Sequence, residues 1–411
     1  MIMQDNEKKP ALRFKGFTDP WEQRKLTNLC EKFTDGDWIE AKDQSDSGVR
    51  LVQTGNVGVT EYLDKPNNKK WISFETFEQL HCEEVYPGDI LISRLPEPAG
   101  RACIMPNLGT KMITAVDCTI VRPNAVTSTR FLLQYLSSQA YFDAVNTCLA
   151  GGTRQRISRG NLAQFNVPIP SSKIEQEKIG EVLEKLDTLI TLHQRKYEKL
   201  VNIKKSMLDK MFPKNGASVP EIRFKGFTDP WEQRKFSELY EKVSRKNDLT
   251  YGKDDIISVA NMYYKAESYI TDENYLLTYN VFEMGDIAFE GNKSKNFAHG
   301  RFVENTIGNG IVSHVFDVFK PRMTNYDLQF WKYAINNERI MGPILLRSTK
   351  ASTMMTNLVA DDFLQENFLI PCYEEQKKIG EFLNQLDTLI TLHQREHIKP
   401  ILEVKRVKRN E

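Results

Sequence analysis

Two stretches of this chain space their apolar residues at intervals of three and four, as in a helix with one apolar face. The positions are Ile179, Leu183, Leu186 and Ile190 in the first stretch and Ile379, Leu383, Leu386 and Ile390 in the second. In the first stretch the pattern continues through His193, Tyr197 and Leu200, which gives a mean period of 3.5 residues, typical of a coiled-coil seam. Because so long an apolar stripe would otherwise face water, we predict that the two helices pack on each other in antiparallel orientation.

Short runs of β-branched and aromatic residues precede each of these helices. Gly, Asn and Pro separate the runs, which predicts strands. They fall within 48–59, 89–93 and 119–121, and within 256–259, 286–289 and 311–319. Aromatic residues at helical spacing follow at 130–144 and 328–340. Each of the two regions is therefore predicted to be a mixed α+β domain.

An internal repeat connects the two halves of the chain. The residues RFKGFTDPWEQRK occur at 13–25 and again at 223–235, and LDTLITLHQR occurs at 186–195 and 386–395. The stretches between these blocks differ almost completely. We predict an α+β protein with two mixed α/β domains, joined by two long antiparallel coiled-coil helices in a pseudo-two-fold arrangement. The predicted boundaries are 1–172, 173–213, 214–372 and 373–411, the second and fourth segments being the helices, with a tail after the last.

Prolines lead to two further local predictions. Asp19, Pro20 and Glu22, with their repeat at Asp229, Pro230 and Glu232, have the order of a helix start, so a short helix or turn is expected there. After Arg395 the second long helix no longer matches the first, and Pro400 is expected to kink or end it.

Composition excludes several classes of protein without choosing one. The net charge is only +1, so a basic surface for nucleic acid would have to be local. The six cysteines form no C-x-x-C pair, which favours reduced thiols and no metal site. The N-terminal residues lack an apolar leader, and a cytoplasmic protein is expected. His193 and His393 continue the helix seams, where a hydrogen-bonded core histidine is expected and a pH or metal role is the alternative.

No catalytic motif for phosphate cradling, dinucleotide binding or zinc hydrolysis occurs in the chain. The repeated blocks instead resemble those of the specificity subunits of type I restriction-modification systems. The resemblance covers essentially the whole chain. It includes the R-F-x-G-F opening of each copy and the E-Q-x-K-I start of each long helix, at 175–179 and 375–379.

The resemblance implies a non-catalytic subunit with two target-recognition domains. Each domain would read one half of a bipartite, asymmetric DNA site, while the helices set the spacing and hold two methyltransferase subunits. Restriction subunits would join the complex. S-adenosylmethionine would be bound by the methyltransferase, which methylates adenine N6, and ATP and Mg²⁺ by the restriction partner. A coiled-coil adaptor without DNA recognition is the alternative, and a stand-alone nuclease would need clustered carboxylates.

Residues for DNA contact are sought among Arg, Lys, Asn and Gln on loops, because these side chains pair with base edges and phosphates. The first-domain loop is Gly152, Thr153, Arg154, Gln155, Arg156 and Ser158, where the family also places DNA contacts. The corresponding second-domain loop contains Arg347, Lys350 and Ser352. The secondary candidates are Gln53, Asn56 and Arg94 in the first domain and Asn261, Asn292, Lys293, Ser294 and Lys295 in the second.

Overall fold

A computed structural model of the chain describes residues 10–151, 155–214, 216–265, 272–351 and 355–407, with side chains as far as Arg395 in the last range. The chain divides into two compact units, Met1–Thr191 and Leu192–Glu411. Within the described ranges, no helix is both long and apolar enough to cross a membrane.

Among the residues that the structure describes, the first unit contains ten short strands and the first half of a long helix. The strands are β1 (Glu22–Lys25), β2 (Cys30–Asp35), β3 (Gln44–Ser45), β4 (Val49–Val52), β5 (Lys70–Ile72), β6 (Ile90–Ser93), β7 (Ala102–Ile104), β8 (Met112–Thr114), β9 (Cys118–Pro123) and β10 (Asn166–Ile169). The helices are α1 (Phe74–Gln79), α2 (Thr129–Tyr135), α3 (Gln139–Thr147), α4 (Arg159–Ala163) and α5 (Lys173–Lys210), whose second half belongs to the second unit.

Two four-stranded sheets organise the first unit, in the orders β2-β9-β6-β7 and β3-β5-β4-β8. All four residues of β4 and of β6 are buried, including the polar side chains of Arg50 and Ser93. The core under α2 and α3 contains Ile90, Leu132 and Tyr141. Serine side chains cap the N-termini of α2, α3 and α4.

The second unit repeats this plan with different contents. Its strands are β11 (Glu232–Lys235), β12 (Tyr240–Val243), β13 (Ile257–Ser258), β14 (Tyr263–Tyr264), β15 (Asn280–Phe282), β16 (Ile287–Glu290), β17 (Arg301–Glu304), β18 (Gly310–Val312), β19 (Val318–Pro321), β20 (Thr349–Ala351), β21 (Thr356–Leu358) and β22 (Asn367–Ile370). The helices are α6 (Phe236–Leu239), α7 (Leu328–Ala334), α8 (Glu338–Ser348), α9 (Ala360–Gln365) and α10 (Tyr373–Val407).

The order β12-β19-β16-β17 corresponds strand for strand to β2-β9-β6-β7 in the first unit. The weak sequence match between Gly88-Asp89-Ile90 and Gly285-Asp286-Ile287 therefore marks equivalent positions at the start of β6 and β16. The core of the second unit is aromatic, with Phe302, Phe363 and Trp331 among the buried side chains. The two domains thus share a fold although their sequences differ.

Of the short helix or turn predicted at Asp19–Glu22 and at its repeat Asp229–Glu232, the helix is wrong: the chain bends at Asp19 and Asp229 and then enters a strand. Glu22–Lys25 forms β1 and pairs antiparallel with β10, and Glu232–Lys235 pairs in the same way with β22. A helix does not form because the strand immediately before the long helix supplies hydrogen bonds to the extended backbone of this segment.

The repeated opening segment also contacts the start of the long helix in its own unit. Arg13 donates from Nε and Nη2 to the two carboxylate oxygens of Glu175, at 2.7 and 2.8 Å. Arg223 and Glu375 form the same bidentate pair, at 2.7 Å for both bonds. In each unit the repeated opening segment is therefore bonded to the E-Q-x-K-I start of the long helix, on the other side of the variable domain in sequence.

In the second unit the two long helices pair in antiparallel orientation, as predicted. The Nδ1 atoms of His193 and His393 lie 3.2 Å apart, and Lys204 Nζ lies 2.5 Å from Asp387 Oδ1. Numbering therefore rises along α5 as it falls along α10. Of the predicted seam residues, Ile379, Leu383 and Leu386 are buried in the second-unit core, with the last turns of α5 packed against it.

The rest of the predicted seam is less buried. Ile179 packs against the first-unit core, and Ile190 and Ile390 are partly exposed. Leu183 and Leu186 keep 37% and 41% of their surface exposed. Side chains after Arg395, where the second helix diverges in sequence, lie outside the described residues, so this part of the seam stays a prediction. Pro400 does not end α10, which continues to Val407.

Candidate nucleic-acid interface

A short hairpin carries the first candidate loop. Ala150 and Arg156 exchange both backbone hydrogen bonds, at 3.0 and 2.8 Å, so the chain pairs with itself on the two sides of the loop. Gly151 has a φ of +114°, a conformation that glycine adopts without strain. Gln155 is exposed. Gly152, Thr153 and Arg154 lie outside the described residues, so their predicted role stays untested.

The base of this hairpin is fixed to the end of β6. The amide of Ile157 donates to the carbonyl of Arg94 at 3.2 Å, and the Ser158 hydroxyl caps α4. Arg101, the residue before the neighbouring β7, donates to the carbonyls of Thr54, Val57, Leu95 and Pro98. One buried guanidinium therefore joins the turn after β4 to the loop after β6.

Two aspartates balance the exposed arginines of this hairpin. Arg156 lies 3.5 Å from Asp117, and Arg159 lies 3.7 Å from Asp35. The two arginine side chains are 58% and 45% exposed. Ion pairs this loose and this exposed contribute about 0–1 kcal/mol. A DNA phosphate can therefore compete for either guanidinium at little cost.

Three secondary candidates of the first domain have structural roles instead. Arg94 is buried, faces Asp35 at 3.5 Å and donates to the Val116 carbonyl at 2.5 Å. Asn56 is 3% exposed, and its amide group bonds the backbone of Gln53 and Leu63. Gln53 precedes the turn at Thr54–Asn56 and is only partly exposed. Burial leaves Arg94 and Asn56 little surface for DNA, which argues against a direct contact, and their predicted DNA contact stays untested.

The second domain places a hairpin at the equivalent position. Strands β20 and β21 pair from Thr349–Leu358 to Ala351–Thr356, and Lys350 is an exposed residue in the middle of β20. Thr356 donates from its amide to the carbonyl of Gly291, the residue after β16, at 2.8 Å. This bond corresponds to the one from Ile157 to Arg94. Ser352 lies outside the described residues.

The other second-domain candidates lie beside the hairpin of β20 and β21, and together with it they form one edge of the domain. Asn292 and Met355 form an isolated bridge, which places the segment 292–295 beside the hairpin. Asn292, Lys293, Ser294 and Lys295 are all exposed. Arg301, equivalent in register to Arg101, donates to Glu290 and to the carbonyl of Ala260, next to the exposed Asn261. Five predicted residues thus line one continuous edge with Lys350.

Arg347 is the exception in this domain. Its Nε and Nη2 donate to the two carboxylate oxygens of Glu366 at 2.8 and 2.5 Å. This bond raises the pKa of the guanidinium and binds α8 to the residue after α9. A bidentate pair uses the donors that a guanine base would require. The prediction that Arg347 reads DNA is therefore not supported by its geometry.

Sequence reasoning missed the residues that hold these edges in place. Arg101 and Arg301 occupy matching positions and fasten the neighbouring turn in each domain, while Asp35 and Asp117 neutralise the first hairpin. Arg301 follows Arg101 by 200 residues, the same offset as that of the repeated decapeptide LDTLITLHQR, and this coincidence could have identified the pair from the sequence. Among the described residues, no group of three or more His, Cys, Asp or Glu side chains is arranged to hold a metal ion.

Comparisons with known proteins agree with this two-domain plan. A family model described as the type I restriction modification DNA specificity domain matches twice, over residues 18–202 and 228–402. A protein of Methanocaldococcus jannaschii, named a putative type I restriction enzyme MjaX specificity subunit, is 22% identical over 206 residues. That match covers 48% of this chain and 46% of the relative, so the chain spans about half the length of the relative it matches.

Two solved structures are similar over nearly the whole chain. The S subunit of the type I restriction-modification system from M. genitalium has a TM-score of 0.55 at 13% identity, covering 98% of this chain and 96% of that chain. The HsdS subunit from Thermoanaerobacter tengcongensis has a TM-score of 0.40 at 12% identity, covering 94% of each. The first of these supports the fold.

Proposed function

This chain belongs to the family of type I restriction-modification DNA specificity proteins, and from that membership we propose that it is the DNA-reading subunit of such a complex. Each domain reads one half of a bipartite, asymmetric DNA site. The observation that carries the proposal is the pair of equivalent edges, each built from one hairpin and the end of one central strand, with different donors on the same frame.

The chemistry of the two edges suits unlike half-sites. The first presents Gln155, Arg156 and Arg159, and arginine pairs bidentately with guanine. The second presents Asn292, Lys293, Lys295 and Lys350, and asparagine pairs with adenine. Two frames of one shape with different donors would bind two different sequences.

Catalysis belongs to partner subunits in this proposal. A methyltransferase subunit would bind S-adenosylmethionine and methylate adenine N6, and a restriction subunit would use ATP and Mg²⁺ for cleavage. This chain would hold none of these cofactors itself. Its contribution would be to place the partners at a chosen sequence.

The repeated decapeptide LDTLITLHQR is the proposed docking place for two methyltransferase subunits. In both copies the same side chains point outward: Leu189 and Leu192 are 50% and 58% exposed, and Leu389 and Leu392 are 42% and 48% exposed. The domains diverge while these outward faces stay identical. Identical apolar faces suit one kind of partner, bound twice.

Co-purification with a separately encoded methyltransferase tests this stoichiometry. Native mass spectrometry is expected to show two methyltransferases per chain, one after Leu189→Asp or Leu389→Asp, and none after both. Val315→Asp, at a 67% exposed apolar residue outside the repeat, is the matched control and should leave two. Retention of both partners by the double variant would place docking elsewhere.

Adding duplex DNA to the intact complex then tests DNA reading separately, because binding of scrambled and specific duplexes with equal affinity would contradict DNA specificity.

A further inference from the structure

A pair of histidines lies within the seam between α5 and α10 in the second unit. His193 and His393 occupy the same position of the repeated decapeptide LDTLITLHQR. Their Nδ1 atoms lie 3.2 Å apart, with ring centroids 5.5 Å apart and ring planes inclined by 37°. The antiparallel pairing of two identical segments therefore brings two copies of one side chain face to face.

The spacing of these nitrogens matches that of two ligands on one metal ion. Zinc–imidazole bonds are about 2.0–2.1 Å long, and two such bonds to nitrogens separated by 3.2 Å enclose an angle of about 100–106°. The tetrahedral angle that zinc prefers is close to this range.

The surroundings allow such an ion to enter. His393 is 5% exposed, but His193 is partly exposed, so the pair is reached from one side of the seam. Among the described residues no third His, Cys, Asp or Glu completes a cluster. In an open site of this kind, water takes the coordination positions that protein ligands leave. Imidazole ligands favour Zn²⁺, Cu²⁺ and Ni²⁺ over Mg²⁺ and Ca²⁺.

We propose that His193 and His393 form a two-histidine site for a divalent transition-metal ion that cross-links α5 and α10. The ion would join two helices from different copies of the repeat and restrict their sliding past each other. Because both ligands are in a region repeated letter for letter, the site arises from the duplication itself and requires no sequence in either recognition domain.

Zn²⁺ binding to the chelator-treated full-length chain tests this proposal. Isothermal titration is expected to give one saturable ion per chain, and Zn²⁺ is expected to raise the thermal midpoint. His193→Gln and His393→Gln should each lower the affinity at least about tenfold, since loss of a supporting residue alone weakens metal sites by that factor. Glutamine can still hydrogen-bond across the seam, and circular dichroism verifies that each variant remains folded.

His314→Gln is the matched control, because His314 is exposed and lies outside the repeat. It should bind Zn²⁺ as the unsubstituted chain does. With Cu²⁺ as the probe, electron paramagnetic resonance should show two coordinating nitrogens, and one in either seam variant. Absence of saturable binding, or binding that survives both seam substitutions unchanged, would overturn the proposal and leave a hydrogen-bonded pair.

Discussion

Burial determines what each arginine in the candidate interface does. Arg94 is buried against Asp35 and the Val116 carbonyl, whereas Arg156 is 58% exposed beside Asp117. Arg347 is exposed but fully engaged by Glu366. Arg94 therefore stabilises the fold, Arg156 is accessible to DNA, and Arg347 links α8 to the residue after α9.

Substitutions of Arg94 and Arg156 should separate stability from DNA binding. Arg94→Ala removes a partner from buried acceptors and should lower the free energy of unfolding by about 1–3 kcal/mol. Arg156→Ala should change that free energy by less than about 0.5 kcal/mol, as surface substitutions do. It should instead weaken binding of the methyltransferase complex to DNA by about 1–3 kcal/mol if the contact is to a base.

Denaturant unfolding and duplex titration measure the two effects. If the contact is to phosphate, the loss should be smaller, uniform across sequences, and accompanied by a weaker salt dependence. Unchanged affinity of Arg156→Ala for every duplex would remove this arginine from the interface.

A buried carboxyl group should make the second unit sensitive to pH. Burial raises the pKa of Glu304 well above its ordinary value, and the Tyr326 hydroxyl bonds to it within reach of Tyr240. The folded state thus favours the protonated acid. Its contribution to stability is complete below the ordinary carboxyl pKa and is lost as pH rises from there through the raised pKa.

The variant Glu304→Gln tests this reasoning because glutamine keeps the shape and carries no charge. Its unfolding midpoint should fall less between pH 5 and 8 than that of the unsubstituted chain. Parallel pH curves for the two proteins would mean that Glu304 does not titrate with folding.

At this scale the sequence predicted residue types better than roles. The second edge was predicted in part, since Asn292, Lys293, Lys295 and Lys350 are exposed polar residues on loops or short strands. The ion pairs of Arg94 with Asp35 and of Arg347 with Glu366 were not predicted, because these partners come near only after folding. Long-range pairs of this kind leave no local pattern.

The variable domains are held by elements that the repeat itself supplies. Strand β11 pairs with β22, Arg223 bonds Glu375, and Gly380 lets α10 approach the start of α7. A Cβ atom at Gly380 would lie 2.6 Å from the backbone nitrogen of Phe330. Gly180 meets Phe131 in the same way, at 2.7 Å. Domain and helix are thus joined by backbone contact.

Gly380→Ala should therefore destabilise the second unit. Alanine gains about 1 kcal/mol of helix propensity, but overpacking against backbone costs about 1–3 kcal/mol, so a net loss is expected. Gly160→Ala in α4 is the matched control: its Cβ would meet only a serine oxygen at 3.8 Å, so stability should rise or stay unchanged. Equal effects of the two substitutions on the thermal midpoint would refute close packing at Gly380.

Elements with strong periodicity were predicted well, and those made by pairing were not. The long helices and the strands at 89–93 and 286–289 are where the apolar patterns placed them. The strands β1 and β11 were mistaken for helix starts, because EQRK has no strand pattern of its own and is extended only by pairing with β10 and β22. Tertiary contact overrides weak local preference.

Over the whole molecule, α5 should act as the ruler that sets the distance between half-sites. Its 38 residues extend about 57 Å at 1.5 Å per residue, more than one turn of B-DNA. Inserting whole helical turns into α5 should change the permitted spacer and leave both half-site sequences unchanged. Sequencing of methylated adenines checks this, and an unaltered spacer in the lengthened variant would reject the ruler.

The central claim is that the two domains read different sequences on one repeated frame. The most direct test is to map methylated adenines made by the chain with its methyltransferase partner, and again with residues 236–366 replaced by the equivalent first-domain stretch 26–165. The unaltered chain should direct methylation to a bipartite site with two unlike halves. The chimera should direct it to a site with two matching halves in inverted orientation. An unchanged site in the chimera, or methylation without sequence preference in either, would contradict the account.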